Sequence, residues 1–242
     1  MNIRVGISQT LSKKQKDRQS ILMLFAFFAL VLGIRLYFAF QVPEFSSDSA
    51  YFVLEQVEHI SETGFPKVHS QASEGLWIFP PVYYYVLAFF NLFMPMVWVA
   101  KILPNVFAAL TIFIVYAISI KFTKNHVASL AASLLSGFIP VFFFYFFNSA
   151  SIYSFVVLLV LASFYSFLMI GADDKYILYY LLSLVILSFT HPAVFFVVAG
   201  QIIYVLFANI EGMKYKKVEV EVILASLVIV IWSQFSILKN AF

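Results

Sequence analysis

Long apolar segments follow one another along almost the whole chain, and they constrain its fold more than any other feature. The first runs from Ile21 to Phe40, close to the roughly 20 residues that an α-helix needs to cross a bilayer. Further apolar segments lie at 79–99, 102–120, 127–147, 152–170, 176–190, 193–209 and 219–238. Only 11% of the residues are charged, against about 25% in a typical soluble domain. We therefore predict an all-α, polytopic membrane protein.

A basic segment precedes the first apolar segment. Residues 1–20 carry five of the 15 basic residues, and residues 21–40 show neither the short apolar core nor the cleavage site of a signal peptide. We therefore expect a cytoplasmic N-terminus followed by a retained transmembrane helix. Arg35 lies near the outer end of this helix, where its side chain is expected to reach the interface. The absence of cysteine excludes disulfides and thiolate metal sites.

The basic residues favour a topology in which the segment 79–99 does not cross the membrane. Basic residues that flank transmembrane helices accumulate on the cytoplasmic side. If 79–99 crosses, then Lys121, Lys124, Lys175 and the cluster at 214–217 all fall outside. If it stays in the interface, eleven of the 15 basic residues lie inside. We therefore predict about seven transmembrane helices, with the N-terminus inside and the C-terminus outside.

Proline residues mark breaks in two of the apolar stretches. Pro95 interrupts the segment 79–99, which favours an embedded helix over a spanning one. A rival interpretation makes 176–209 a single helix, but its length of about 50 Å would far exceed the roughly 30 Å hydrocarbon core. Because proline disfavours helical geometry in the residue before it, the His191-Pro192 pair favours two helices.

This topology divides the chain into four parts. They are the basic N-terminus 1–20, the first transmembrane helix 21–40, an external loop 41–101 with a surface helix (48–63) and an embedded helix (80–99), and a six-helix bundle 102–242. The other external segments are short, around 148–151, around 190–192 and from Lys239 onward. We expect them to converge under the large loop.

The first half of the external loop is the main polar part of the chain. Residues 41–78 hold half of the 12 acidic residues. Between Asp48 and Thr63 apolar residues recur at helical spacing, and Gly64 followed by Pro66 is typical of a helix end. Serine or aspartate at the start is typical of a helix N-cap. The buried face is expected to comprise Ala50, Val53, Leu54, Val57 and Ile60.

Most of the polar residues have a simple structural interpretation. A solvated helix face explains Glu55, Glu58 and Glu62 better than catalysis does. His59 and His69 are expected to be ordinary surface residues, because the chain has no pair of histidines at zinc-ligand spacing. His191 at its helix break is most simply explained by a bond to a backbone carbonyl.

The segment Ser47–Pro66, SDSAYFVLEQVEHISETGFP, resembles the start of the first external loop in GT-C glycosyltransferases that use polyprenyl-phosphate sugars. These include protein O-mannosyltransferases, aminoarabinose lipid A transferases and archaeal oligosaccharyltransferases. The matching residues are Asp48, Tyr51, Gly64 and Pro66. The later PPVYYY at 80–85 resembles a motif of the same loop.

The resemblance implies a module of seven helices and a donor sugar carried on a polyprenyl phosphate. Two departures bear on the chemistry: Ser49 stands where many relatives have a second acidic residue, and Asn148, Ser149 and Ser151 stand where the oligosaccharyltransferases complete a metal site. The usual carboxylate ligands of a divalent cation are thus missing, and we expect a metal-independent reaction without a cofactor. A partner subunit that supplies the acceptor site is a further expectation.

The resemblance implies a role for six residues. Asp48 is the expected catalytic base, and the expected donor-binding or acceptor-orienting residues are Tyr51, Lys67, His69, Lys101 and His191. The expected location is the plasma membrane of a prokaryote, and no nucleic-acid partner is expected. The alternatives are an inactive lipid-phosphate-binding or assembly subunit and, less favoured, a transporter, since neither repeats nor mid-membrane charges are evident.

Overall fold

The computed structural model of the chain describes residues 2–66, 69–71, 75–77, 81–139, 148–212 and 217–241. For residues 2–14, 16, 17, 69–71, 75–77 and 236–241 it describes the backbone alone. Within these ranges the helices are α1 (Asn2–Gln41), α2 (Asp48–Thr63), α3 (Val82–Asn91), α4 (Met96–Thr123), α5 (His126–Gly137), α6 (Ile152–Ile170), α7 (Lys175–Ser188), α8 (Val194–Ile210) and α9 (Lys217–Ala241).

The predicted helical architecture is confirmed, with one short exception in the loop that was predicted to be external. Strands β1 (His69–Gln71) and β2 (Gly75–Trp77) form an antiparallel hairpin in which His69 pairs with Trp77. The sequence analysis did not predict this hairpin, because three residues are too few to establish an alternating pattern.

Among the described residues, four helices are long and apolar enough to cross a membrane. They are Arg18–Gln41 within α1, Met96–Thr123, Ile152–Ile170 and Lys217–Phe235 within α9. The other apolar helices, α3, α5, α7 and α8, have 10 to 17 residues in the part described. The four long helices indicate a membrane protein, as the composition predicted.

The apolar segment 79–99 is divided between two helices. Helix α3 ends at Asn91, and α4 begins at Met96 directly after Pro95. Proline suits a helix start, where its missing N–H would have no partner within the helix. The structure thus differs from the predicted embedded helix 80–99, and it places Lys101 inside α4 rather than at the end of the loop. At 1.5 Å per residue α3 is only about 15 Å long.

Helix α2 has the amphipathic form that its sequence predicts. Of the five residues predicted for the buried face, Ala50, Val53, Val57 and Ile60 are buried and Leu54 is half-buried. Gln56, which was not predicted, is also buried, and α2 packs on α3 and α4. Gly64 ends the helix with φ of 79°, and its N–H donates to the carbonyl oxygen of Ile60 at 2.8 Å. Glycine adopts this left-handed conformation without a Cβ penalty, so the predicted stop is confirmed.

The break at His191-Pro192 is also confirmed. Helix α7 ends at Ser188 and α8 begins at Val194. The turn between them is held to the loop, because the N–H of Val82 at the start of α3 donates to the carbonyl oxygen of Phe189 at 3.3 Å.

Helix α4 is the central element and packs against α1, α3, α5 and α6. Helices α1 and α5 approach closely at Gly137, where an added Cβ would lie 2.8 Å from Cγ2 of Val31. On the other side, the buried Tyr180 hydroxyl contacts Gln201 Oε1 and Ser226 Oγ, each at 2.7 Å. These polar contacts join α7, α8 and α9 in the way that transmembrane helices commonly associate.

Candidate functional site

The chain segment that leads into α2 is attached to the turn that precedes α6. The N–H and the hydroxyl of Ser46 both donate to the carbonyl oxygen of Asn148, each at 3.0 Å. In return, the Asn148 side-chain amide donates to the carbonyl oxygen of Glu44 at 2.7 Å. These three hydrogen bonds hold the start of α2, and Asp48 with it, over residues 148–150.

The turn 148–150 contains two buried polar atoms for which the described residues provide no hydrogen-bond partner. Asn148 Oδ1 and Ser149 Oγ have no hydrogen-bond partner within the described part of the chain. Ala150 has φ of 49°, an uncommon value for a residue other than glycine, and its carbonyl oxygen accepts from the Tyr83 hydroxyl at 2.9 Å. Because buried polar atoms are normally paired, this turn is a place where a polar ligand would be stabilised.

Asp48 is exposed at the first position of α2. Its carboxylate is therefore open to solvent, close to the helix N-terminus, whose dipole favours negative charge. The predicted side-chain cap is not formed: the N-cap residue Ser47 is extended and its hydroxyl contacts the Ser49 hydroxyl instead. Asp48 can thus accept a proton from a molecule that approaches from solvent.

Lys101 is buried and binds the end of α1. Its Nζ donates to the carbonyl oxygens of Ala39 at 2.9 Å and Val42 at 2.5 Å. The same ammonium lies 5.6 Å from the centre of the Phe40 ring and 5.5 Å from that of Phe45. Two of its three hydrogens therefore stabilise carbonyls that α1 itself cannot pair.

Tyr51 and Lys101 contact the same aromatic ring. Tyr51 is exposed, and its ring packs edge-to-face on Phe45 with centroids 5.9 Å apart. Phe45 precedes Asp48 by three residues, so the structure brings Asp48, Tyr51 and Lys101 to one end of the bundle.

His191 adjoins the first turn of α6. Its ring lies 5.3 Å from that of Tyr153, and its Nδ1 accepts the N–H of Ala193 at 3.0 Å. The expected bond to a backbone carbonyl is thus replaced by one from a backbone amide. An accepting Nδ1 places the proton of the neutral ring on Nε2. Burial lowers the pKa of His191, which favours this neutral form.

Two of the three short segments that were predicted to be external thus lie against the segment 44–46 and α3. Residues 148–150 contact the segment 44–46 and Tyr83, and the turn after α7 contacts α3 and α6. The side chains of the third segment, from Lys239 onward, lie outside the described residues.

The remaining predicted residues are only partly described. Lys67 lies outside the described residues, and only the backbone of His69 is described, in β1. His59 Nδ1 is 2.8 Å from the carbonyl oxygen of Phe65, which ties the end of α2 to the following residues. The three acidic residues of α2 assigned to a solvated face, Glu55, Glu58 and Glu62, are exposed.

Arg35 is a polar residue whose environment the sequence analysis predicted wrongly. Its side chain is only 1% exposed, so it does not reach the interface. The guanidinium Nε donates to Asn105 Oδ1 at 2.9 Å, and the Asn105 amide donates to the carbonyl oxygen of Lys101 at 2.7 Å. The sequence contained one signal for these contacts, since Asn105 follows Lys101 by one helical turn in an apolar helix.

Arg35 also borders a cavity of about 200 Å³ between α1, α4, α5 and α6. Its lining is mostly apolar and comprises Arg35, Ala108, Thr111, Val115, Ser136, Gly137, Ile139, Val157 and Leu161.

No group of three or more His, Asp or Glu side chains that could hold a metal ion occurs among the described residues. In comparisons with known proteins, no family model matches this chain and no curated protein matches it.

Proposed function

We propose that this protein is a GT-C type glycosyltransferase that moves a sugar from a polyprenyl-phosphate donor to an acceptor at the outer face of the membrane. The observation that carries the proposal is the attachment of the Asp48 segment to the turn 148–150 through Ser46 and Asn148. It joins an accessible carboxylate to a turn whose buried Asn148 Oδ1 and Ser149 Oγ have no partner in the part of the chain that the structure describes. The resemblance of the segment 47–66 to GT-C enzymes supports this choice of chemistry.

The proposal includes seven transmembrane helices with the N-terminus in the cytoplasm. Support comes from the distribution of basic residues and from α3, whose length of about 15 Å is half of a hydrocarbon core. With this topology the loop that contains Asp48 lies outside, as expected for the plasma membrane of a prokaryote.

The reaction requires one bond to form and one to break. The acceptor oxygen bonds to the anomeric carbon of the sugar, and the bond from that carbon to the phosphate oxygen breaks, so that polyprenyl phosphate leaves with the electron pair. Asp48 takes the acceptor proton as its oxygen attacks. Donors directed at the phosphate stabilise the charge that develops on it.

Other residues of the site have supporting roles in this scheme. Neutral His191 can donate from Nε2 to the phosphate or the acceptor, and Lys101 has one ammonium hydrogen beyond its two backbone bonds. Tyr51 provides an exposed aromatic face for the sugar. Lys67 and His69 remain candidates for binding the donor. No metal ion takes part in the proposed reaction.

The decisive experiment compares Asp48→Asn with Glu58→Gln, which removes another exposed carboxylate from the same helix. Membranes that contain each variant receive radiolabelled polyprenyl-phosphate mannose or polyprenyl-phosphate glucose, and release of free polyprenyl phosphate is measured. Asp48→Asn should abolish transfer at equal expression, whereas Glu58→Gln should retain it. Undiminished transfer by Asp48→Asn would contradict the proposed base.

A second candidate function is a lipid-phosphate-binding subunit without catalytic activity. It is favoured by Asn148 and Ser149, which occupy positions where carboxylates would support catalysis in oligosaccharyltransferases. This alternative predicts that the purified protein binds a fluorescent polyprenyl phosphate and that Asp48→Asn leaves this binding unchanged, with no transfer by either form.

A further inference from the structure

A groove opens at the end of the bundle opposite to Asp48. It has a volume of about 750 Å³ and lies between the start of the apolar part of α1 and the turn that joins α4 to α5. It is lined by Gln19, Ser20, Leu22, Met23, Lys124, Asn125, His126, Val127 and Leu130. Ser20 and Gln41 are 21 residues apart in one helix, so the groove is about 32 Å from the external site.

The groove lies at the ends of two helices that are long and apolar enough to cross a membrane. The apolar span of α1 begins at Arg18, and that of α4 ends at Thr123. A groove at this level faces the headgroup region of the bilayer, with water on one side and acyl chains on the other.

The two halves of the lining differ in polarity. The polar half consists of Gln19, Ser20, Lys124, Asn125 and His126. The apolar half includes Leu22, Met23 and Val127, which are 61%, 52% and 76% exposed. Exposed apolar side chains beside a polar end match an amphiphile and do not match a small soluble anion.

The polar half of the lining contains a cation, Lys124, in the turn that joins α4 to α5. Lys124 forms the left-handed end of α4 with φ of 52°, and its ammonium has no hydrogen-bond or ion-pair partner among the described residues. Lys121, one turn earlier, is instead engaged with the carbonyl oxygen of Leu168. Lys124 is therefore a cation of the lining that is available to a ligand in this groove.

The wall of the groove is held together by His126. Its Nδ1 lies 3.2 Å from Ser20 Oγ and 2.9 Å from the Tyr116 hydroxyl, so α1, α4 and α5 meet at one ring. Asn125 meanwhile caps α5 by accepting the N–H groups of Val127 and Ala128. The polar lining is thus positioned by contacts within the protein.

The basic sequence that precedes the groove favours an anionic occupant. The chain just before it, residues 13–18, contains four basic residues and one acidic residue. Basic clusters next to a transmembrane helix attract anionic phospholipids. We propose that the groove binds an anionic glycerophospholipid, with its phosphate at Lys124 and an acyl chain along Leu22, Val127 and Leu130. This site is independent of the proposed glycosyl transfer.

Photolabelling of the full-length protein in phosphatidylcholine vesicles tests the proposal. The vesicles contain a small fraction of either a diazirine-labelled phosphatidylglycerol or the matching phosphatidylcholine, and adducts are mapped by mass spectrometry. Labelling of residues 127–130 by phosphatidylglycerol should exceed that by phosphatidylcholine by about threefold or more. Equal labelling by the two lipids would overturn the proposal.

Variants of Lys124 show whether its ammonium causes the preference for phosphatidylglycerol over phosphatidylcholine. Lys124→Asn removes the charge and retains a residue that tolerates the left-handed conformation, so it should abolish the preference for phosphatidylglycerol. Lys124→Arg should retain the preference, and so should Lys175→Gln, which removes an exposed lysine from another turn at the same end of the bundle. An equal loss in Lys175→Gln would indicate general surface attraction and overturn the site.

Inorganic phosphate distinguishes a lipid from a soluble ligand. Millimolar phosphate, added at constant ionic strength, should leave the labelling of residues 127–130 unchanged. Displacement of the labelled phosphatidylglycerol by phosphate would assign the groove to a soluble anion instead. Should Lys124→Asn fail to fold, the ratio between the two lipids in the unmodified protein and in Lys124→Arg still decides the outcome.

Discussion

The ammonium of Lys101 lies 2.9 Å from the carbonyl oxygen of Ala39, in the last turn of α1. A second bond reaches the carbonyl oxygen of Val42, just beyond that helix. A buried cation at a helix C-terminus pairs carbonyls that have no partner within the helix, and it complements the helix dipole. The contact joins the first transmembrane helix to the start of α4 directly beneath the Asp48 segment.

Replacement of Lys101 by methionine should lower the free energy of unfolding by about 1–3 kcal/mol, because two buried carbonyl oxygens lose their donor. Thermal unfolding in detergent micelles measures the effect. Lys217→Met is the matched control, since Lys217 is exposed and its ion pair with Glu221 lies on the surface. Equal stability of the two variants would contradict a capping role for Lys101.

Arg35 and Asn105 should be energetically coupled, because Arg35 Nε donates to Asn105 Oδ1 within the bundle. Arg35→Met and Asn105→Leu should each destabilise the protein. The double variant should be less destabilised than the sum of the two, with a coupling of about 0.5–3 kcal/mol. A double-mutant cycle by chemical unfolding measures this value, and strict additivity would show that the contact contributes nothing.

Stability should fall as the pH decreases through about 6.5, partly because of His191. Burial lowers the pKa of His191 in the folded protein, so the unfolded chain binds the proton at a higher pH than the folded protein does. Protonation therefore favours unfolding. His191→Asn keeps a side-chain acceptor for the Ala193 N–H and removes the titration, so it should flatten this slope.

The pH dependence of the midpoint of unfolding tests this prediction. His59→Asn is the control, since it removes a different histidine from the external loop. A slope that is unchanged in His191→Asn would show that other groups control the pH dependence.

Gly137→Ala should destabilise the contact between α1 and α5 by about 1–3 kcal/mol, since the added methyl group would lie 2.8 Å from Val31 Cγ2. Gly33→Ala in α1 is the control, because nothing lies within 4 Å of its added Cβ. Adding Val31→Ala to Gly137→Ala should partly restore the stability, because the smaller side chain makes room for the added methyl group. Thermal unfolding of the unmodified protein and of the three variants measures both effects. Equal stability of Gly137→Ala and Gly33→Ala would contradict the close approach of α1 and α5.

Local features of this protein were predictable from its sequence. The buried face of α2, its end at Gly64 and the break at His191-Pro192 follow from helical periodicity and from the backbone preferences of glycine and proline. The long apolar segments likewise predicted a helical membrane protein. These properties depend on neighbours a few residues away, so a single sequence contains the necessary information.

The arrangement of the site depended on residues far apart in the chain. Ser46 and Asn148 are separated by 102 positions, and Arg35 and Asn105 by 70. Position in α1 suggested that Arg35 reaches the interface, but the packing of α1 against α4 buries it beside an amide. The sequence by itself determined which segments are helical and apolar, because the bilayer and the backbone act on each segment separately. Only the tertiary structure decided which polar groups meet, because pairing depends on how the helices pack together.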